Sequence, residues 1–233
     1  MLYDASRARN LTAAWFDPRY WSSRGELDGA ARGRGTTHFV RSRDRRLVLR
    51  HYHRGGLIAL LSSDRYIWRG EDLTRPFAEW SITYRLHRAG LPVPAPIAAR
   101  YVRRGNTYHG DIITERLTTV GSLAECLALG ALSIVTWISI GRCIRRFHDF
   151  GVCHADLNAR NVMLSEESVY LVDFDRCELR RAGLWRDANL VRLRRSLEKI
   201  TYGLPAERFS EADWHGLLNG YWQSAAAREP PAG

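Results

Sequence analysis

One spacing in the chain, His-x-Asp-x4-Asn followed by Asp-Phe-Asp, restricts what the chain can fold into more than any other feature. It runs from His154 through Asp156 and Asn161 to Asp173–Asp175. The residues between Asn161 and Asp173 form two short apolar runs separated by a polar turn, a pattern that predicts a β-hairpin. A loop that carries Asp156 would then face a strand end that carries Asp173. The spacing therefore predicts that three oxygen-bearing side chains lie close together.

The residue types at these positions suit phosphoryl transfer from a magnesium nucleotide. Asp156 would accept or orient the proton of an attacking hydroxyl group. Asn161 and Asp173 would offer oxygen ligands to magnesium, which prefers hard oxygen donors, and His154 would brace the loop through hydrogen bonds. Asp and Asn are also common turn formers, so each residue alone has a plain structural interpretation. The complete run, with apolar strands between its polar members, favours a kinase-type site.

Arginine carries almost all of the positive charge of the chain. The formal net charge is +10, and Lys199 is the only lysine. Arginine recognises phosphate and carboxylate groups in a bidentate manner, which suggests an anionic partner. A genomic bias toward arginine codons explains the count equally well.

The four cysteines lack the spacing of a metal site, so we expect them to be reduced in a cytosolic protein. We expect neither a signal peptide nor a membrane-spanning segment.

Periodicity and turn residues predict an α+β chain with two lobes. Predicted strands lie at residues 37–40 and 46–52 and near residues 97–103 and 108–115. Predicted helices lie at residues 74–88, 132–150, 185–200 and 207–223. Strands thus dominate the first half of the chain and helices the second half. The expected organisation is a β-rich N-terminal lobe over residues 1–116 and a helical C-terminal lobe over residues 117–233.

The N-terminal lobe contains candidates for nucleotide binding. Candidates for backbone contacts with phosphate oxygens are the turn residues Gly33, Arg34, Gly35 and Thr36. A Gly-x-Gly alone is more often a simple hairpin turn. In the next predicted strand, Arg50 stands where the kinase pattern Val-Ala-Ile-Lys has its lysine. Arg50 and Glu79 would then form the ion pair that positions the phosphates. The alternative is an exposed strand arginine and an exposed helix glutamate.

Taken together, these segments resemble the bacterial 3-deoxy-D-manno-octulosonic acid (Kdo) kinases. The similarity extends from about residue 15 to residue 223. It is carried by segments 33–37, 47–52, 54–56, 91–99, 113–117, 154–161 and 173–176, and by Trp185 with residues 188–190, 192–193 and 195–197. One departure is Cys177, where we expect glycine after Asp173-Phe174-Asp175-Arg176.

The resemblance implies a protein-kinase-like fold and an ATP-dependent reaction with Mg²⁺. The reaction would phosphorylate the 4-hydroxyl group of Kdo on a Kdo-lipid A precursor in lipopolysaccharide core biosynthesis. The enzyme would work as a peripheral protein on the cytoplasmic face of the inner membrane of a Gram-negative bacterium, without a nucleic-acid partner. The resemblance makes Arg50 an ordinary residue rather than a sign of lost activity, and it places Glu115 among the nucleotide-binding residues.

Residues around the Asp-Phe-Asp segment indicate a non-protein acceptor. Asn158 stands where protein kinases usually carry a lysine two residues after the catalytic aspartate. Asp175 replaces the usual glycine and is either an extra metal ligand or a turn cap. The following basic residues are either contacts for an anionic acceptor or part of a solvated face. They are Arg176, Arg180, Arg181 and Arg192.

Three further questions stay open on the residues alone. The N-terminal aromatic residues at positions 15, 16, 20 and 21 would either rest on a membrane surface or pack against the small lobe. The segment Asp156–Asn158 also fits a small-molecule phosphotransferase of the aminoglycoside type. A non-catalytic kinase-fold module that binds anionic lipid or RNA is compatible with the charge.

Overall fold

The computed structural model describes residues 1–32, 36–42, 45–53 and 64–226. The chain forms two compact units. The first comprises Met1–Arg88 and Pro94–Leu117, and the second comprises Ala89–Val93 and the chain from Thr118 onward. The short segment Ala89–Val93 belongs with the second unit because backbone and side-chain bonds tie it there. The Pro92 carbonyl, for example, accepts the Leu171 amide at 3.1 Å.

Within the described residues, the first unit is built on a seven-stranded antiparallel sheet. The strands are β1 (Leu2–Tyr3), β2 (Leu27–Arg32), β3 (Thr36–Ser42), β4 (Arg45–His51), β5 (Tyr66–Ile67), β6 (Pro96–Arg104) and β7 (Thr107–Glu115). Their order is β1-β6-β7-β4-β3-β2, with β5 paired to β7. Strand β2 was not predicted, because its Asp, Gly and Ala residues have low strand propensity. Pairing with β3 imposes its conformation.

Alternation along β4 explains which of its residues reach the core. Leu47 and Leu49 are buried on one face of the sheet, so Val48 and Arg50 point to the opposite face. The N-terminal segment, with a 3₁₀ helix at Ala13–Phe16 and α1 at Pro18–Ser22, packs its aromatic residues into the cluster that contains Leu47 and Leu49. Packing against the sheet is therefore the arrangement that the structure shows for these aromatics.

Helix α2 (Arg75–Arg88) packs on the sheet of the first unit. Pro76 lies in its first turn, where a missing N–H costs nothing. Its apolar residues Phe77 and Trp80 are buried, and so is Glu79. The helix ends ahead of Gly90, whose φ of +73° lies in the left-handed region that glycine adopts readily. The buried position of Glu79 makes a partner for its carboxylate necessary.

The second unit is mainly helical. Its helices are α3 (Leu123–Leu129), α4 (Ile134–Phe150), α5 (Trp185–Thr201) and α6 (Glu211–Ala226), with a 3₁₀ turn at Ala206–Arg208. Its short strands are β8 (Gly121–Ser122), β9 (Val152–Cys153), β10 (Val162–Leu164), β11 (Val169–Leu171) and β12 (Glu178–Leu179). The last helix begins four residues later than the predicted 207–223, because residues 206–208 form the separate 3₁₀ turn.

Helices α4 and α6 approach so closely that glycine is required at their crossing. A Cβ atom added to Gly141 would lie 1.9 Å from the carbonyl oxygen of Leu217, and one added to Gly220 would lie 2.0 Å from that of Ile138. These distances are far below van der Waals contact, so the two backbones touch. Helix α4 then ends at Gly151, whose φ of +95° is typical of a helix C-terminus. The chain enters the predicted catalytic loop directly from this fixed helix end.

Candidate active site

His154 braces the loop between β9 and β10. Its Nε2 lies 3.1 Å from the carbonyl oxygen of Val172, and its Nδ1 accepts the backbone N–H of Asp156 at 3.2 Å. Nδ1 can accept only in the tautomer whose proton is on Nε2, so Nε2 donates to Val172. Burial lowers the pKa of His154, while the carboxylates of Asp173 and Asp156 act in the opposite direction. His154 is therefore a neutral positioning residue that links the loop to the end of the hairpin.

The side-chain amides of the loop converge on the carbonyl oxygen of Asp156. Asn161 donates its Nδ2–H to this oxygen at 2.8 Å, and Asn158 donates from its own Nδ2 at 3.0 Å. The Asn158 Oδ1 atom accepts the Arg160 amide at 2.8 Å. Because the nitrogen of the buried Asn161 side chain is bonded in this way, its orientation is set and its Oδ1 is the atom left for a metal ion.

Asp173 follows the hairpin that the spacing predicted. Strands β10 and β11 pair in antiparallel register, and the Val172 amide donates to the Asn161 carbonyl at 3.0 Å. Asp173 has a φ of +63°, in the left-handed region that non-glycine residues rarely occupy. Such a conformation persists where the surrounding structure holds it, as it often does at functional sites. Phe174 anchors the segment by packing against Phe147 and His154, with ring centroids 5.8 and 5.3 Å apart.

The donor set in this loop fits magnesium. His154 links the two parts of the loop, because its Nδ1 accepts the Asp156 amide and its Nε2 donates to the carbonyl oxygen of Val172, the residue before Asp173. Asn161 offers an amide oxygen and Asp173 a carboxylate, a combination that magnesium accepts when nucleotide phosphates complete its ligands. Among the described residues there is no group of three or more His, Cys, Asp and Glu side chains that could hold a metal ion.

In the first unit, Arg50 and Glu79 form the predicted ion pair. One terminal nitrogen of Arg50 contacts both carboxylate oxygens of Glu79. Glu79 is 5% exposed and lies on α2, whereas Arg50 lies on β4 and is partly exposed. The alternative of two exposed, unrelated side chains is thus wrong for this pair. Pairing explains how a carboxylate is tolerated on the buried face of α2.

Tyr52 belongs to the same network and was not predicted from the sequence. Its hydroxyl donates to Glu79, and its ring lies 5.0 Å below the Arg50 guanidinium. The signal was present in the sequence, because residues two apart on an extended strand point to the same side. The buried Glu79 is therefore held from two directions, by Arg50 on β4 and by Tyr52 just beyond that strand.

The remaining candidates for nucleotide binding are residues 33–36 and Glu115. Gly33, Arg34 and Gly35 lie outside the described residues. Thr36 begins β3, where it pairs with Arg32. Glu115 ends β7, and its carboxylate accepts a hydrogen bond from Arg7 at 3.2 Å. That partner was not predicted because Arg7 is more than a hundred residues distant in sequence.

The acceptor candidates are spread over the segment after β11. Arg180 pairs with Glu178 at 2.8 Å, and its amide donates to the Gly151 carbonyl. Arg176, which has a φ of +59°, and Arg181 are exposed. Arg192, on α5, is near enough to His154 to lower its pKa.

Asp175 and Cys177 support the loop through their backbone and sulfur atoms. Asp175 is half-buried, and its carbonyl oxygen lies 3.9 Å from the Cys177 sulfur. That sulfur in turn accepts the amide of Ala155 at 3.4 Å. The cysteine at this unusual position therefore contacts the chain beside His154.

Helix α5 supplies two supports for the loop to which the sequence analysis assigned no role. Asn189 accepts the His154 amide at 3.1 Å and donates to the His154 carbonyl at 3.0 Å. Ser196 accepts the Ala159 amide at 3.1 Å. Asn189 is buried on the same side of α5 as Leu193 and Leu197. A polar residue on an apolar helix face is a signal for such a partner, since buried polar groups are hydrogen-bonded.

The β-rich first unit and the helical second unit are those of a protein-kinase-like phosphotransferase, which confirms the predicted fold class. The sequence model of the lipopolysaccharide kinase (Kdo/WaaP) family matches residues 18–221, and the chain belongs to this family. The predicted family is thereby confirmed, and the chain is an enzyme that transfers phosphate to an alcohol group.

Relatives with the name 3-deoxy-D-manno-octulosonic acid kinase match nearly the whole chain. The protein from Actinobacillus succinogenes is 39% identical over 228 residues, which cover 94% of this chain and 95% of the relative. The one from Xylella fastidiosa is 45% identical over 202 residues, 86% of this chain and 80% of the relative. A solved structure described as WaaP in complex with acyl carrier protein is similar with a TM-score of 0.58 and 17% identity, over 88% of this chain and 85% of that chain. At this identity the likeness concerns the fold alone.

Proposed function

We propose that this protein uses ATP and Mg²⁺ to phosphorylate the 4-hydroxyl group of Kdo on a Kdo-lipid A precursor. The named relatives and the family support Kdo as the acceptor. The observation that carries the chemistry is the loop in which His154 and Asn161 hold Asp156 in place while the Asn161 oxygen stays available.

Each residue of the loop has a defined task in this reaction. Asp156 accepts or orients the proton of the sugar hydroxyl, which must approach the transferring phosphate in line. Asn161 and Asp173 would hold Mg²⁺, which neutralises charge on the phosphates when it is bound. His154 stays neutral and keeps Asp156 in position. Asp175 is a candidate for a further metal contact.

Residues of the first unit would contact the nucleotide phosphates. Arg50 keeps its charge at any physiological pH, and its planar fork can contact Glu79 and a phosphate oxygen at the same time. Tyr52 holds the carboxylate of Glu79 from a second direction, so the arginine is fixed before a nucleotide arrives. Glu115 and residues 33–36 are proposed as additional nucleotide contacts.

The acceptor carries carboxylate and phosphate groups, which arginine side chains would bind. Arg176, Arg181 and Arg192 are the candidates, since all three are exposed. Arg180 is a weaker candidate, since Glu178 already pairs with it.

We place the reaction on the cytoplasmic face of the inner membrane, where the protein would be peripheral. Over the described part of the chain, no helix has both the length and the apolar character needed to cross a bilayer.

Mass spectrometry of a Kdo-lipid A precursor incubated with the protein, ATP and Mg²⁺ tests this function. We expect the glycolipid to gain one phosphate, which NMR would place on the 4-oxygen of Kdo. Asp156→Asn and Asp173→Asn should each lower the rate by about a hundredfold or more. Glu166→Gln, a change in the exposed turn of the same hairpin, is the matched control and should have no effect. Transfer to a soluble aminoglycoside with the glycolipid left unmodified would refute the proposal.

A further inference from the structure

A pocket within the first unit uses none of the residues to which the proposed transfer assigns a role. Its volume is about 490 Å³, and it is lined by residues of the N-terminal segment together with Ser42 and Arg45. Pockets that bind small molecules typically have volumes of roughly 300–1,000 Å³. The pocket is therefore large enough for a ligand bigger than a simple inorganic ion.

The walls of the pocket carry an excess of positive charge. Four arginines line it, Arg7, Arg9, Arg24 and Arg45, against the single carboxylate of Glu26. Glu26 pairs with Arg24 at 3.0 Å, and Arg7 pairs with Glu115 at 3.2 Å. Across the described ranges, Arg9 and Arg45 have no ion pair with a carboxylate. Within the part of the chain that the structure describes, two positive charges of the pocket therefore have no carboxylate partner, which favours an anionic ligand.

Arg45 is held in position before any ligand binds. Its Nη1 donates to the carbonyl oxygen of Arg7 at 2.6 Å, and the residue is half-buried. A guanidinium has further N–H donors in a fixed plane, and this geometry matches two oxygens of a phosphate group. Because the side chain is already ordered, binding loses less conformational entropy at this arginine than at a mobile one.

A rigid aromatic wall faces the same pocket. The buried Trp21 donates its Nε1–H to the carbonyl oxygen of Trp15 at 2.7 Å. The rings of Trp15 and Tyr20 pack edge-to-face against Trp21, with centroids 5.3 and 5.2 Å away. Trp15 and Tyr20 are half-buried and line the pocket. Aromatic side chains that are ordered in this way offer a flat apolar surface to a ligand ring.

We propose that this pocket binds a phosphorylated sugar. Arg9 and Arg45 would hold the phosphate group, and Trp15 with Tyr20 would contact the sugar ring. The positive charges of the pocket favour a phosphate group. Its volume and its aromatic wall favour an uncharged ring attached to that phosphate. This binding is independent of the phosphoryl transfer proposed above.

Calorimetric titration of the full chain with glucose 6-phosphate tests the site. We expect glucose 6-phosphate to bind at least about tenfold more tightly than glucose or inorganic phosphate. Arg9→Gln should weaken the binding of glucose 6-phosphate about tenfold, because Arg9 is exposed and supplies charge without a structural role. Trp15→Leu should weaken the binding of glucose 6-phosphate but leave the binding of inorganic phosphate unchanged. The exposed Arg104→Gln, on β6 and away from the pocket lining, is the matched control.

Three results would overturn the proposal. The first is equal affinity for glucose 6-phosphate and inorganic phosphate. The second is binding that Asp173→Asn removes while Arg9→Gln leaves it unchanged, since the sugar phosphate would then occupy the catalytic loop. The third is Arg9-dependent binding of phosphatidylglycerol vesicles in the absence of glucose 6-phosphate binding. Displacement of the probe by micelles of a glycolipid with a phosphorylated sugar head group would assign the ligand to a lipid; without displacement, a soluble sugar phosphate is the ligand.

Discussion

Replacement of Arg50 tests two properties of the Arg50–Glu79 pair, namely its effect on stability and its role in catalysis. Glu79 is 5% exposed, and breaking a buried ion pair by removal of one partner costs about 3–5 kcal/mol. The Tyr52 hydroxyl remains as a donor to Glu79, so Arg50→Ala should lie near the lower limit, at about 3 kcal/mol. Urea unfolding of the wild type and the variant measures this loss directly.

The catalytic effect can be separated from the stability effect with a second variant. Replacement of both partners, as in Arg50→Met/Glu79→Leu, removes the buried charge together with its partner, so most of the lost stability should return. Turnover should be lower than that of the wild type by about a hundredfold or more in both variants. This factor corresponds to a loss of about 2.7 kcal/mol of transition-state stabilisation. Arg50→Lys should retain partial activity, since an ammonium keeps the charge without the planar fork.

Three outcomes would contradict the proposed role of Arg50 or its effect on stability. If Arg50→Ala turns over normally at a temperature where it is folded, Arg50 does not act on the phosphates. If the double variant regains both stability and turnover, the pair is purely structural. If Arg50→Ala unfolds at the same urea concentration as the wild type, the burial of Glu79 has been overestimated.

Two other predictions concern the fold of each unit. Gly220→Ala should destabilise the second unit by several kcal/mol, because the new methyl group would lie 2.0 Å from the Ile138 carbonyl oxygen; thermal unfolding measures this, and an unchanged melting temperature would show that the helices can separate. The hydrogen bond with Asp111 at 2.6 Å raises the pKa of His51 above its usual 6.5. Its contribution to stability is therefore complete below pH 6.5 and is lost as the pH rises through the raised pKa. The difference in unfolding free energy between the wild type and His51→Gln should shrink over that interval, and a constant difference would disprove the coupling.

Much of the fold could be predicted because apolar periodicity is a local property. Helix α4 and helix α5 were predicted within two residues of their observed limits, since each has an apolar stripe and a clear end. Strand β2 was missed, because its own residues disfavour a strand and only the pairing with β3 creates it. The early start predicted for the last helix failed because Pro205 and its neighbours form a 3₁₀ turn instead.

The support of the candidate site was harder to predict than the site itself. The spacing from His154 to Asp173 indicated a loop and a hairpin, and both are present. The bonds of Asn189 to His154 and of Arg7 to Glu115 join residues far apart in sequence. No local pattern predicts such pairs, because they depend on which helix or segment packs beside the loop or strand.

The sequence by itself determined the chemical groups of this protein, its long helices, the hairpin beside the loop, and the similarity that led to its family. The tertiary structure decided which groups hold one another. It made His154 a neutral brace, directed the Asn161 nitrogen to a carbonyl and so left its oxygen available, and added Tyr52 to the pair formed by Arg50 and Glu79. The physical reason is that a buried polar atom must find a partner where packing provides one, and packing is a property of the whole unit.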